Sequence, residues 1–171
     1  MSGARIRIGI SSCLLGQAVR HDGGHKYNGA IVESLGRRFD FVSYCPELAI
    51  GLGVPRPPIR LIQDTRGARA CRIAEPAFDV TDPIATYAEK VATELSDVSG
   101  YIFKAGSPSC GMQGVPVFGA EGVPLAVGAG IYAATLMRLL PGLPFEDEDR
   151  LSDPVIRENF IERVLGYHRS R

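Results

Sequence analysis

The sequence predicts an α/β domain: a parallel sheet with helices on both faces. Three observations carry that expectation. Short β-branched or aromatic runs alternate with longer stretches of helical periodicity, the order from which βαβ units are built. The chain has 171 residues, 45% of them hydrophobic and 22% charged, which suits one domain over residues 1–171 with a core of ordinary size. Its 20 glycines and 12 prolines exceed the usual share yet fall short of a disordered composition, so they belong in ordered loops. Long ordered loops usually carry function.

Each element has a local reason. Residues 6–11 form an apolar, β-branched run that ends in Ser-Ser-Cys, a buried first strand. A polar loop follows from Gly16 to Lys26, with no apolar period. Asn28 is a suitable cap for a helix whose apolar positions Ile31, Leu35 and Phe39 recur every four residues. Residues 41–44 read as a second strand, stopped at Cys45-Pro46 because proline cannot donate to a ladder. Residues 59–62 and 70–73 read as short strands around a polar turn. Asp82-Pro83 opens a helix to about residue 95, with Asp as cap and proline in the first turn. Residues 100–104 make a third strand, entering the loop Ala105 to Gly111. A glycine-punctuated connection leads to a helix over 131–140, and Ser152-Asp153-Pro154 starts a last helix to about residue 167. No internal repeat or low-complexity segment interrupts the pattern.

Composition excludes some functions. Nineteen basic residues balance nineteen acidic ones, so global charge does not make this a nucleic-acid binder. No apolar run is long enough to span a membrane. The N-terminal stretch from Met1 to Ile8 alternates basic and apolar residues, unlike a signal peptide. A cytoplasmic location is therefore expected. There disulfides are rare, and the four cysteines gain weight as metal or catalytic groups.

Cys13, Cys45 and Cys110 each follow an expected strand and open a loop of glycine, proline or serine. In an open parallel sheet, ligands bind beyond the carboxyl ends of the strands. If those strands are neighbours, the three sulfurs meet in one crevice. Cys71, between Ala70 and Arg72, has no such setting and reads as structural. Zinc sites use paired C-x₂₋₄-C knuckles, and there are none. An iron–sulfur cluster accepts ligands from distant loops, and three cysteines on a [4Fe-4S] cluster leave one iron open. The plain alternative is that all three are small buried hydrophobes. Ser107-Pro-Ser109-Cys110-Gly111 adds hydroxyls and turn amides beside one sulfur, and Cys45-Pro-Glu47 adds a carboxylate that suits proton transfer. Arg20, Asp22 and Lys26 stand in the loop after Cys13 and are candidates for substrate contact. His21 and His25 are left out, because a lone histidine is more often surface or core than ligand.

Taken together, Ser12-Cys13-Leu14-Leu15-Gly16, Val19-Arg20-His21-Asp22-Gly23-Gly24-His25-Lys26, Cys45-Pro46-Glu47, Val54-Pro55-Arg56-Pro57-Pro58, and Lys104 with Ser107-Pro108-Ser109-Cys110-Gly111 resemble the thiouracil desulfidase family. The resemblance extends through Leu143-Pro144-Phe145-Glu146 and Arg157-Glu158-Asn159-Phe160-Ile161. It implies a Rossmann-like domain holding a [4Fe-4S] cluster on Cys13, Cys45 and Cys110. It also implies non-redox desulfuration of 2-thiouracil or a 2-thiouridine-type base to the oxo base, with sulfide released. Glu47 and Ser107 would move protons or touch substrate, with Arg20, Asp22, Lys26 and Ser109 around it. His21 stands where the family usually has an aromatic residue. Relatives that present tRNA carry a further domain where this chain ends at Arg171, so a free base or nucleoside is the expected substrate. Two other classes compete. One is a non-catalytic iron–sulfur module or sulfide carrier, which has no need of an acid–base pair. The other is a metal-free nucleotide-binding enzyme, which lacks its G-x-G-x-x-G after the first strand.

Overall fold

The computed structural model describes residues 3–171; Met1 and Ser2 of the basic–apolar N-terminal stretch lie outside them. In chain order the elements are Ile6–Ser11 (β1), Gly29–Gly36 (α1), Phe39–Tyr44 (β2), Pro46–Ala49 (α2), Ile59–Asp64 (β3), Gly67–Arg72 (β4), Thr81–Glu94 (α3), Val98–Phe103 (β5), Val115–Phe118 (β6), Pro124–Gly128 (β7), Ile131–Leu139 (α4), Phe145–Asp147 (β8) and Pro154–Arg169 (α5). Among the described residues, no helix is long and apolar enough to cross a membrane.

One sheet has the order β2-β1-β5-β8 and every pairing in it is parallel. Its central strands are buried over residues 8–11 of β1 and throughout β5, because both faces are covered there. All six residues of β5 are buried. On one face, Ile8, Ile10 and Ile102 pack with Ile31 and Leu35 of α1 and Phe160 and Val164 of α5. On the other, Tyr101 and Phe103 pack with Ile84, Ala88 and Val91 of α3 and Tyr132 and Leu136 of α4. The period-two alternation along β5 sends neighbours to opposite helix layers. Helices do cover both faces of a parallel sheet.

The sequence pattern did not reveal a second sheet, of order β4-β3-β6-β7. The β3–β4 hairpin was expected, and it pairs Ile59 with Arg72 through Asp64 with Gly67. Its partners β6 and β7 fall in what read as a glycine-punctuated connection. Pro116, Gly119, Gly122, Pro124 and Gly128 break up the period there, and β6 meets β3 at only Leu61–Val117 and Ile62–Phe118. Strand β8 is three residues long, too short to show a period.

Cap chemistry placed two helix starts. The Asn28 side chain accepts from the Ile31 amide, and Asp153 accepts from the Val155 amide with proline following. Two expectations need correction. Phe39 opens β2 instead of adding a turn to α1, which stops at Gly36. At α3 the carboxylate that meets the first-turn amide is Asp79, accepting from Thr81 at 2.9 Å, and Asp82 already lies inside the helix.

Gly9, on β1 at the centre of the parallel sheet, faces the Tyr101 ring with no room for a Cβ. Gly9→Ala should force that ring aside and cost about 1–3 kcal/mol, as overpacking does in well-filled cores. Thermal unfolding followed by circular dichroism measures the loss.

Candidate active site

The three strands that deliver cysteines are neighbours in the sheet. From β1 the sheet grows to β2 on one side and to β5 on the other, so their carboxyl ends form a switch-point crevice. Cys13 sits in the 3₁₀ turn Ser12–Leu15 directly after β1, which Gly16 ends at φ 87°. Cys45 is the residue between β2 and Pro46. Cys110 stands on the loop that leaves β5. All three line one cavity of about 380 Å³, with Glu47, Ser107, Ser109, Arg20 and Lys26 also in its wall. Cys71 does not. It lies buried on β4, opposite Arg60 of β3.

The Cys110 loop is held by its own hydroxyl and by a helix end. Ser107 Oγ accepts from the amides of Ser109 at 3.2 Å and Cys110 at 3.0 Å. The amides of Gly130, Ile131 and Ala133, at the start of α4, donate to the carbonyls of Gly111, Pro108 and Ser109. Helix amides without partners of their own thus fix the loop. Such close docking needs a bare backbone, because a Cβ on Gly130 would lie 2.5 Å from the Ser109 carbonyl.

The loop after Cys13 folds back on it through the Lys26 amide, which donates to the Cys13 carbonyl at 2.9 Å. That fold turns Arg20, His21 and Lys26 toward the cavity but not Asp22. The Asp22 carboxylate instead accepts from the Gly24 amide at 2.9 Å, closing a local turn. So Asp22 lies outside the wall, and His21, set aside from sequence, lies in it.

A chain of polar contacts runs along the cavity. Ser109 Oγ donates to Glu47 Oε1 at 3.0 Å and lies 3.0 Å from Ser107 Oγ. A hydroxyl has one proton, and Ser109 gives its proton to the carboxylate, so Ser107 is the donor to Ser109. Glu47 Oε2 accepts from Arg56 Nε at 2.8 Å, and Arg56 Nη1 donates to the Gly53 carbonyl at 3.0 Å. Lys104 Nζ donates to Glu148 and to the Ala105 carbonyl, while Glu148 also accepts from the Ala105 amide at 2.6 Å. Sequence reading assigned no part to Arg56, Lys104 or Glu148. Arg56 and Lys104 stand inside the motifs, and that placement was their only signal.

Burial pushes all three thiols above the ordinary cysteine range. Lys104 and then Arg20 pull Cys13 back; the Leu48 amide and Arg56 do so at Cys45. At Cys110 the neighbouring Cys45 adds to the rise, against hydrogen bonds with Ser11 and Ser109. Three soft sulfurs in one low-dielectric cavity ionise readily only beside a positive partner, and a thiophilic metal group is such a partner. Among the described residues, no three His, Cys, Asp or Glu side chains stand close enough to hold a single metal ion. Three cysteines lining one cavity are a donor set that fits an iron–sulfur cluster.

The chain matches known proteins over most of its length. The family model of 2-thiouracil desulfurase matches residues 8–148. The uncharacterized protein YbbK of Bacillus subtilis (strain 168) is 30% identical over 150 residues, which make up 84% of this chain and 97% of that one. The solved structure of a [4Fe-4S]-dependent thiouracil desulfidase, TudS, is similar with a TM-score of 0.66 and 31% identity, covering 91% of this chain and 99% of that one.

The docking of α4 on the Cys110 loop is open to test. Gly130→Ala should push Ser109 and Cys110 off the helix end and lower stability by about 1–3 kcal/mol. Thermal unfolding should show the loss, and a thiol reagent should label Cys110 faster than in wild type while labelling of Cys71 stays unchanged.

Proposed function

The chain belongs to the 2-thiouracil desulfurase family, and on that premise we propose that it converts thiolated pyrimidines of the 2-thiouracil or 2-thiouridine type to the oxo base. In this reading Cys13, Cys45 and Cys110 hold a [4Fe-4S] cluster. The observation that carries it is the meeting of three cysteines, from the ends of three adjacent parallel strands, with a carboxylate–hydroxyl chain in one cavity. When bound, the cluster supplies a thiophilic Lewis acid that draws on the sulfur of a thiocarbonyl and leaves its carbon open to water.

The net exchange is thiocarbonyl plus water to carbonyl plus hydrogen sulfide, with no electron gained or lost. Protons must therefore leave the water and reach the departing sulfur. Ser107, Ser109 and Glu47 take these protons up from the water and return them along the same chain to the sulfur. A proton given up near Ser107 passes to Ser109 and on to Glu47 Oε1, the oxygen that Arg56 leaves open. Ser109 is thus a link between Ser107 and Glu47 instead of a substrate contact. Arg20, His21 and Lys26 form the wall nearest solvent and orient the incoming base. Tyr44, stacked on Tyr101 at 6.0 Å between ring centroids, adds an aromatic surface to the same wall. A sulfide carrier would need none of this proton path, which favours catalysis over storage.

Two measurements test the assignment. Cys110→Ala, reconstituted without oxygen, should lose its iron, whereas Cys71→Ala should keep about four irons per chain, because a methyl group cannot replace a thiolate ligand. Equal loss in both variants contradicts a site of three ligands. Glu47→Gln should bind iron normally yet turn over 2-thiouracil about 10²–10⁴-fold more slowly, the scale for losing a positioned acid–base group. Uracil formation alongside sulfide release is the readout, and undiminished activity removes Glu47 from the path.

A further inference from the structure

Glu47 is held at both oxygens, and the buried hold is the one outside the proton path. The Arg56 side chain is 4% exposed and that of Glu47 12%, with Nε 2.8 Å from Oε2. The guanidinium is fixed in turn, because Nη1 donates to the Gly53 carbonyl at 3.0 Å. The Arg56 amide donates to the His21 carbonyl at 2.9 Å, so the same residue ties the loop that carries Arg20 and Lys26. Glu47 then joins the third loop through Ser109. Arg56, through its backbone to His21 and its side chain to Glu47, therefore sits where the loops of Cys13, Cys45 and Cys110 are connected.

We propose that Arg56 is a positioning residue for the desulfuration: its planar fork, spanning Glu47 Oε2 and the Gly53 carbonyl, holds the carboxylate so that Oε1 alone faces Ser109. The role rests on the desulfidase reading given above. A fork is needed because the two acceptors lie in fixed directions. A lysine keeps the charge, but its single ammonium does not hold two such acceptors in one plane. Without the fork the carboxylate turns, and the distance from Ser109 Oγ to Oε1 is no longer set. Arg56 has no contact with the relay hydroxyls themselves, so its effect on turnover passes through Glu47.

That dependence gives a test which a merely structural role does not pass. Wild type, Arg56→Lys, Glu47→Gln and the double variant are reconstituted without oxygen, and iron content, visible absorption, kcat and KM for 2-thiouracil are measured. Equal iron content and equal spectra are expected in all four. Arg56→Lys should lower kcat about 10- to 100-fold, the scale of a small misplacement of a catalytic group, with KM nearly unchanged. In the Glu47→Gln background the same change should lower kcat no further, since residues acting as one unit are not additive. Loss of kcat by the same factor in both backgrounds overturns the proposal. So does wild-type kcat in Arg56→Lys, or loss of iron from that variant alone. Wild-type protein that carries iron yet leaves every thiolated base untouched overturns the desulfidase reading itself, and the role of Arg56 with it.

Discussion

The parallel pairing of β1 with both β2 and β5 is the constraint on which the site depends. Parallel strands finish at the same edge of a sheet, so residues that follow them are brought together however far apart they stand in sequence. The pairing is stable because β1 and β5 are buried on both faces, with Ile8, Ile10 and Ile102 against one helix layer and Tyr101 and Phe103 against the other. Gly9 gives the Tyr101 ring its space. Packing of the sheet against its two helix layers therefore sets the spacing of the three sulfurs.

The cavity also carries a charge problem. Three thiols and a carboxylate line one cavity, and burial, with Cys45 and Glu47 close by, disfavours ionisation of Cys110. Arg56 beside Glu47 and Lys104 and Arg20 near Cys13 offset part of that repulsion. Lys104 is itself anchored by Glu148, the residue after β8, which also takes the Ala105 amide where the Cys110 loop begins. These ion pairs serve position more than stability. A buried pair contributes little beyond an apolar substitute, whereas losing one partner strands a charge.

What could be read from sequence was mostly local; the meeting of the three cysteines was the exception, legible from their places after expected strands. The run over residues 6–11, the Asn28 and Asp153 caps and the proline after Cys45 each act on their immediate neighbours, and the structure places them as expected. The second sheet was not legible, because glycine and proline in β6 and β7 erase the alternation and the pairing with β3 decides them. The same limit separates Asp22 from His21. Nothing in the polar loop says which of the two adjacent residues turns inward; backbone bonds from Lys26 to Cys13 and from Arg56 to His21 decide it. Arg56 lies in a proline-rich stretch with no helical or strand period, so its pairing with Glu47 is visible only in three dimensions.

Iron anomalous diffraction from crystals grown without oxygen tests the central claim most directly. If the three strand ends hold one cluster, a single compact iron peak will lie in the cavity, within bonding distance of the sulfurs of Cys13, Cys45 and Cys110, and the sulfur of Cys71 will be far from it. Iron bound elsewhere, or a peak held by Cys71, would contradict the account.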